Sequence, residues 1–245
     1  MNRLSQMRFY GMHHAYRTLL ESGKQESLTN DEIVALLVQA EWEDRENRKI
    51  ERYLKSARFR YPATIEELDL TAPRGLDRTL MLRLAECTFV QRRENVLITG
   101  ATGAGKSYIA SALGHQACML GYRTLYFNAQ KMFPQLNISK ADGTYLKQLA
   151  RIERHELLII DDFGLQPLDA NSRMMLLEVL EDRHGVRSTI IASQLPVASW
   201  YDVIGDGTIA ETNTYNCTTA QGGCGKKIED NPPFPSPIGQ DLRYR

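Results

Sequence analysis

Residues 95–107, NVLITGATGAGKS, run an apolar segment straight into Gly100-x-x-x-x-Gly105-Lys106-Ser107, a junction that few folds can accommodate. Val96-Leu97-Ile98 reads as a buried strand and Tyr108-Ile109-Ala110-Ser111-Ala112-Leu113 as a helix with an apolar face, so the glycine-rich stretch is the turn between them. Backbone N–H groups converge on an oxyanion only where side chains are small, and at a helix N-terminus they already carry partial positive charge. One ammonium and one hydroxyl follow, in the places that a triphosphate and its Mg²⁺ require. The expected nucleotide contacts are Gly100, Ala101, Thr102, Gly103, Ala104, Gly105, Lys106, Ser107 and Tyr108.

From about residue 76 to 195 the hydrophobic period alternates between strand and helix, which implies a parallel sheet covered on both faces. Strands are expected at 95–99, 123–127, 157–161 and 188–192. Helices are expected after the glycine loop, near Ala129 to Leu136, near Tyr145 to Arg154, and through Met174, Leu177 and Leu180. Leu157-Leu158-Ile159-Ile160-Asp161-Asp162 ends in two carboxylates at the sheet edge where the loop lies. Asp161 is expected to hold Mg²⁺ together with Ser107, and Asp162 to orient or deprotonate the attacking water. Thr189-Ile190-Ile191-Ala192-Ser193-Gln194 ends at the same edge, where Gln194, or failing that Ser193, reaches the γ-phosphate or its water. Lys106, Asp162 and Gln194 are the expected catalytic residues.

Residues 1–70 read as an N-terminal helical region, 71–210 as the nucleotide domain and 211–245 as an irregular, poorly ordered tail. One N-terminal helix starts at Thr29 or Asn30 and carries Ile33, Leu36, Leu37 and Ala40. A second runs through Arg45, Arg48, Lys49, Arg52, Lys55, Arg58 and Arg60 until Pro62 ends it. Arg45, Arg48, Lys49 and Arg52 share a face, which is either a footprint for a phosphate backbone or a solvated stripe paired locally with Glu46 and Glu51. Thr64-Ile65-Glu66-Glu67 offers a capping box for a short helix and Pro73-Arg74-Gly75 a linker. Lys131, Lys140, Lys147, Arg151 and Arg154 form a second place where DNA could touch, whereas Arg83, Arg92, Arg93, Arg183 and Arg187 read as surface charge. With 30 basic and 30 acidic residues the net charge is +0, so a nucleic-acid partner must meet a local patch. Cys87, Cys118, Cys217 and Cys224 lack zinc spacing and read as reduced thiols. No run of about 18 apolar residues and no secretory leader is apparent, so a soluble, cytoplasmic protein without a membrane partner is expected.

Taken together, the segments resemble the IstB-like helper ATPases of bacterial insertion sequences, AAA+ relatives of DnaC loaders and DnaA initiators. The resemblance rests on Leu84-Ala85-Glu86-Cys87 ahead of Arg92-Arg93-Glu94-Asn95, the loop GATGAGKS, Lys140-Ala141-Asp142-Gly143, LLIIDDFGLQPLD, Leu177 to Arg183, and ASQLPVASWYDVIGD. It implies an α/β P-loop NTPase of the AAA+ class, a parallel sheet flanked by helices with an N-terminal helical region. It also implies ATP and Mg²⁺ as cofactors, duplex DNA and a partner transposase as partners, and an ATP-dependent homo-oligomer. A DnaC-like helicase loader would carry the same site and differ in the partner of its N-terminal region. After Gly205-Asp206 such proteins continue through a helix with arginines, including the finger that reaches a neighbour's γ-phosphate, whereas here Gly207 to Ala210 leads into the polar tail. A trans arginine contributes about 10³ to 10⁵ in rate, so the departure predicts ATP binding with impaired turnover, in the extreme a decayed ATPase.

Overall fold

The computed structural model of the 245-residue chain describes residues 2–70, 76–200 and 217–222. Three helices open the chain: α1 (Asn2–Gln6), α2 (Tyr10–Ser22) and α3 (Asn30–Ala57). A reciprocal cap starts α3, with Thr29 Oγ1 accepting from the Glu32 N–H and Glu32 Oε2 accepting from the Thr29 N–H. The expected pair of helices is one, because Glu41 to Asp44 contains no breaker and joins forward to Arg45 and Arg48 through ion pairs along the helix. Nor does Pro62 end it. Arg58 adopts the left-handed conformation at φ 58° and turns the chain, so that Phe59 enters the core. At Thr64 to Glu67 the expected reach-back is made, Thr64 N–H to Glu67 Oε2, but only a turn forms.

Gly11 explains how closely α2 lies on α3: a Cβ there would meet Ala40 O at 2.2 Å and Glu41 Cα at 2.6 Å. The close approach carries the buried Glu41 carboxylate to the first turn of α2, where Oε2 accepts from Gly11 N–H at 2.9 Å and Met12 N–H at 3.3 Å.

Next come α4 (Arg78–Ala85), α5 (Thr88–Arg92), β1 (Asn95–Gly100), α6 (Lys106–Met119), β2 (Thr124–Asn128), α7 (Ala129–Ala141), α8 (Tyr145–Glu153), β3 (Leu157–Phe163), α9 (Ala170–Arg183), β4 (Ser188–Ser193) and β5 (Cys217–Gly222). The strands are parallel, in the order β2-β3-β4-β1-β5. Alternation along each strand feeds two cores. Leu97, Leu125, Leu158, Ile160 and Ile191 pack under α7, α8 and α9, while Val96, Ile98, Leu157, Ile159 and Ile190 pack under α4, α5 and α6. Phe59, Ile65, Leu68 and Leu70 join the second core, so the segment after α3 belongs to that layer.

Two expectations are corrected. Within the tail read as irregular, Cys217–Gly222 forms β5, paired with β1 from Asn95↔Cys217 to Gly100↔Gly222. An added edge strand needs backbone pairing more than an apolar period, which is why the polar sequence concealed it. Arg183, read as surface charge, is 1% exposed and donates to the carbonyls of Ile152, His155, Glu156 and Ser188 and to Thr189 Oγ1, tying α8 to the starts of β3 and β4. The expected Pro73 linker and the residues after Gly205 where an arginine finger would stand lie outside the described residues. Among the described residues, no helix is long and apolar enough to cross a membrane.

Candidate nucleotide site

β1 delivers the glycine loop to the carboxyl edge of the sheet and α6 begins at Lys106. Gly103 and Gly105 hold φ of 81° and 88°, values that a Cβ disfavours, so these two positions set the loop's curl. The ammonium of Lys106, nearly buried, donates to Ala101 O at 2.8 Å across the loop. Burial lowers its pKa, opposed by the charges of Asp161 and Asp162. Ser107 Oγ donates to Asp161 Oδ1 at 2.9 Å, joining the residues expected to share a metal. Thr102 Oγ1 donates to Gln194 Oε1 at 2.6 Å, which places the end of β4 against the loop. Tyr108 turns away from this cluster, its hydroxyl donating to Glu67 Oε2.

The two acids sit on a bulge. The register between β3 and β4 shifts between Ile160 and Phe163, and Asp162 adopts φ 55°. Asp161 therefore faces α6 on the side of Leu157 and Ile159, while Phe163 returns to the opposite core. Asp161 is 1% exposed, and its Oδ2 accepts from the Tyr126 hydroxyl. Burial and that bond push the tyrosine pKa up, so the hydroxyl remains a donor. Asp162 stays half-buried, with Oδ2 accepting from Asn128 Nδ2 at 2.7 Å and Arg60 Nη1 at 2.8 Å.

Lys106, Ser107, Asp161, Asp162 and Gln194 thus gather at the carboxyl edge of the sheet around the glycine loop, while Ser193 is consumed by Phe163 O and Leu195 N–H. Sequence reading passed over Tyr126, Asn128 and Arg60. The period of β2 held the first two: Thr124, Tyr126 and Asn128 alternate onto the α6 face, and Asn128 pairs in register with Asp161. No local pattern marks Arg60, since 102 residues separate it from Asp162.

The basic face of α3 divides in two. Arg45 pairs with Glu41, Arg48 with Asp44 and Lys49 with Glu46, so this half follows the locally paired alternative, with Glu41 and Asp44 in place of Glu51. Farther on, Arg52, Lys55, Ser56 and Arg58 meet Arg151 of α8 around an open recess with no carboxylate among the described residues of its lining. Cys87 and Cys118 are buried free thiols, and burial pushes Cys87 up to about 12.

A parallel sheet with a glycine loop closing on a helix, and paired acids on the strand next but one to it, defines an ATP-binding P-loop protein. More narrowly, the chain belongs to the IstB-like ATP binding proteins, a family whose profile matches residues 2–213. The insertion sequence ATP-binding protein y4pL of Sinorhizobium fredii is 40% identical over 211 residues, covering 86% of each chain. The ATP-binding protein of insertion sequence IS1162 from Pseudomonas fluorescens is 41% identical over 80% of this chain and 85% of its own. Among solved structures, the DnaC helicase loader superposes with a TM-score of 0.57 at 18% identity, over 70% of this chain and 98% of its own. The initiator DnaA bound to AMPPCP and single-stranded DNA gives 0.57 at 17%, over 66% and 51%; at such identities the likeness is one of fold.

Proposed function

We propose that this chain is a cytoplasmic ATPase that assembles as a homo-oligomer on duplex DNA and assists a partner transposase. The observation that carries the ATPase reading is the gathering of Lys106, Ser107, Asp161, Asp162 and Gln194 around the glycine loop beside the N-terminus of α6. The backbone N–H groups of residues 100–107 surround the phosphates, and the Lys106 ammonium exchanges the Ala101 carbonyl for their β- and γ-oxygens. Ser107 Oγ and Asp161 Oδ1 fit Mg²⁺: they are hard oxygens 2.9 Å apart, and Tyr126 already occupies the other carboxylate oxygen. When bound, Mg²⁺ supplies charge neutralisation for the phosphates. Asp162 takes a proton from water as that oxygen bonds to γ-phosphorus and the bond to the β,γ-bridging oxygen breaks, its electron pair leaving with ADP. Asn128 holds the carboxylate through its bond to Oδ2, and Gln194, bonded to Thr102 of the loop, is the group proposed to meet the water or the γ-phosphate.

The DNA reading draws on the cations of Arg52, Lys55, Arg58 and Arg151, for which no ion pair is seen among the described residues, and on the insertion-sequence names of the relatives. Slow turnover is part of this reading, because the sequence after Gly205-Asp206 departs from the arginine-bearing pattern of the proteins it resembles. The test is ATP hydrolysis with and without duplex DNA, alongside Lys106→Ala and Asp162→Asn, with gel filtration in ATP. Low turnover raised by DNA and abolished by both substitutions, with assembly in ATP, is the expected result. ATP binding without turnover or assembly would refute the helper reading.

A further inference from the structure

Arg60 is placed too deliberately for a surface charge. It lies between two aromatic anchors, each set on an element of the nucleotide site. Phe59 packs edge-on against Tyr126, with ring centroids 6.4 Å apart, and its ring fills the space left by Gly114 of α6, where a Cβ would come within 2.5 Å of Phe59 Cε1. Tyr61 leans on Tyr108, the residue after Ser107, with centroids 6.1 Å apart, and the Arg60 guanidinium lies over the Tyr61 ring at 5.4 Å. Thus held, the guanidinium reaches Asp162 Oδ2 at 2.8 Å and Asp161 Oδ2 at 3.7 Å, while its side chain remains 45% exposed and able to move.

We infer that Arg60 is a γ-phosphate ligand supplied in cis, which leaves the Asp162 carboxylate for the γ-oxygens when the triphosphate binds and returns when only diphosphate remains. This rests on the ATPase reading above. The Arg60 guanidinium on Asp162 Oδ2 occupies one oxygen of the carboxylate proposed to take the proton from water, and the triphosphate's negative charge draws that group away from the base. The planar fork suits two phosphate oxygens, and Tyr61 supports it in either position. Because Arg60 follows α3 by three residues, the exchange also reports nucleotide state to the N-terminal helices.

The test measures ATP and ADP affinities of the full chain by fluorescent-analogue competition, with turnover, for wild type, Arg60→Ala, Arg60→Lys and Lys106→Ala. In Arg60→Ala, ATP affinity should fall about ten- to a hundredfold, with ADP affinity within about twofold, as expected for the loss of a charged hydrogen bond seen only by the γ-phosphate. Turnover should fall with it, by about a hundredfold, and Arg60→Lys should recover part of both. An unchanged ratio of ATP to ADP affinity, or faster turnover in Arg60→Ala, would overturn the proposal, the latter marking Arg60 as a brake only. If wild type binds neither nucleotide, or Lys106→Ala binds both as well as wild type does, the nucleotide-site reading fails and this inference with it.

Discussion

Replacing Arg183 by alanine should be among the most destabilising single changes in the chain. Its guanidinium is 1% exposed, lies in no carboxylate ion pair among the described residues, and makes five hydrogen bonds to neutral oxygens. Each stranded buried acceptor costs about 1–3 kcal/mol. At least two of the five keep a backbone donor, Ile152 O from His155 N–H and Glu156 O from Ser188 N–H, so the full penalty falls on fewer than five. Adding the cavity and allowing for the burial cost of the cation, which disappears with it, gives about 3–5 kcal/mol for Arg183→Ala. Lysine has three donors and no fork, so Arg183→Lys should lose roughly 2–3 kcal/mol. Urea unfolding followed by tryptophan emission suits the measurement, because Trp200 is buried against Phe163, with ring centroids 4.9 Å apart. With a slope near ~2.5 kcal/mol/M the midpoint of the alanine variant should drop by about 1–2 M. An alanine variant within about 1 kcal/mol of wild type would refute the idea that these oxygens depend on the guanidinium.

Gly11→Ala should loosen α2 from α3 by about 1–3 kcal/mol, because the obstructing atoms are backbone; faster amide exchange confined to α2 checks it, and unchanged exchange refutes it. Burial opposes ionisation of Glu41, but the bonds from Arg45, Met12 and Gly11 outweigh it and hold its pKa below 4.5. The resulting stability is therefore present above about pH 4.5 and lost as pH falls through the lower folded value. A Glu41→Gln variant should flatten that acid limb in a pH series of melts. Reversing Arg58 and Arg151 to glutamate should weaken duplex DNA binding whatever the sequence and reduce the salt slope by about 2; a slope equal to wild type would show that the recess does not meet phosphate. Ending the chain before Cys217 would bare the β1 edge, and light scattering should show greater self-association than in the full chain.

What could be read from the sequence was whatever a local period or motif encodes. All four core strands stand where the apolar runs put them, because strands buried on both faces must be apolar throughout. The loop and the acids were legible because phosphate and metal chemistry permits few residue types at each place. Gln194, at the end of β4, contacts Thr102 of the loop. Groups whose meaning arises only in three dimensions escaped. Arg183 has the same local look as Arg187, and only packing decides that it is enclosed. Arg60 depends on the turn at Arg58, which no glycine announces. β5 escaped for the opposite reason, since a strand held by its backbone leaves the side-chain pattern uncommitted.

The bulge at Asp162 decides which experiments can be trusted to separate chemistry from architecture. A left-handed backbone is tolerated by asparagine and aspartate and resisted by most other side chains. Asparagine therefore removes the charge while leaving the turn, the Asn128 contact and the direction of β3 intact. Alanine or glutamate at the same place would add a backbone penalty unrelated to proton transfer. Position 162 is thereby constrained twice, by its proposed role and by its torsion angle, and the amide substitution isolates the first constraint from the second.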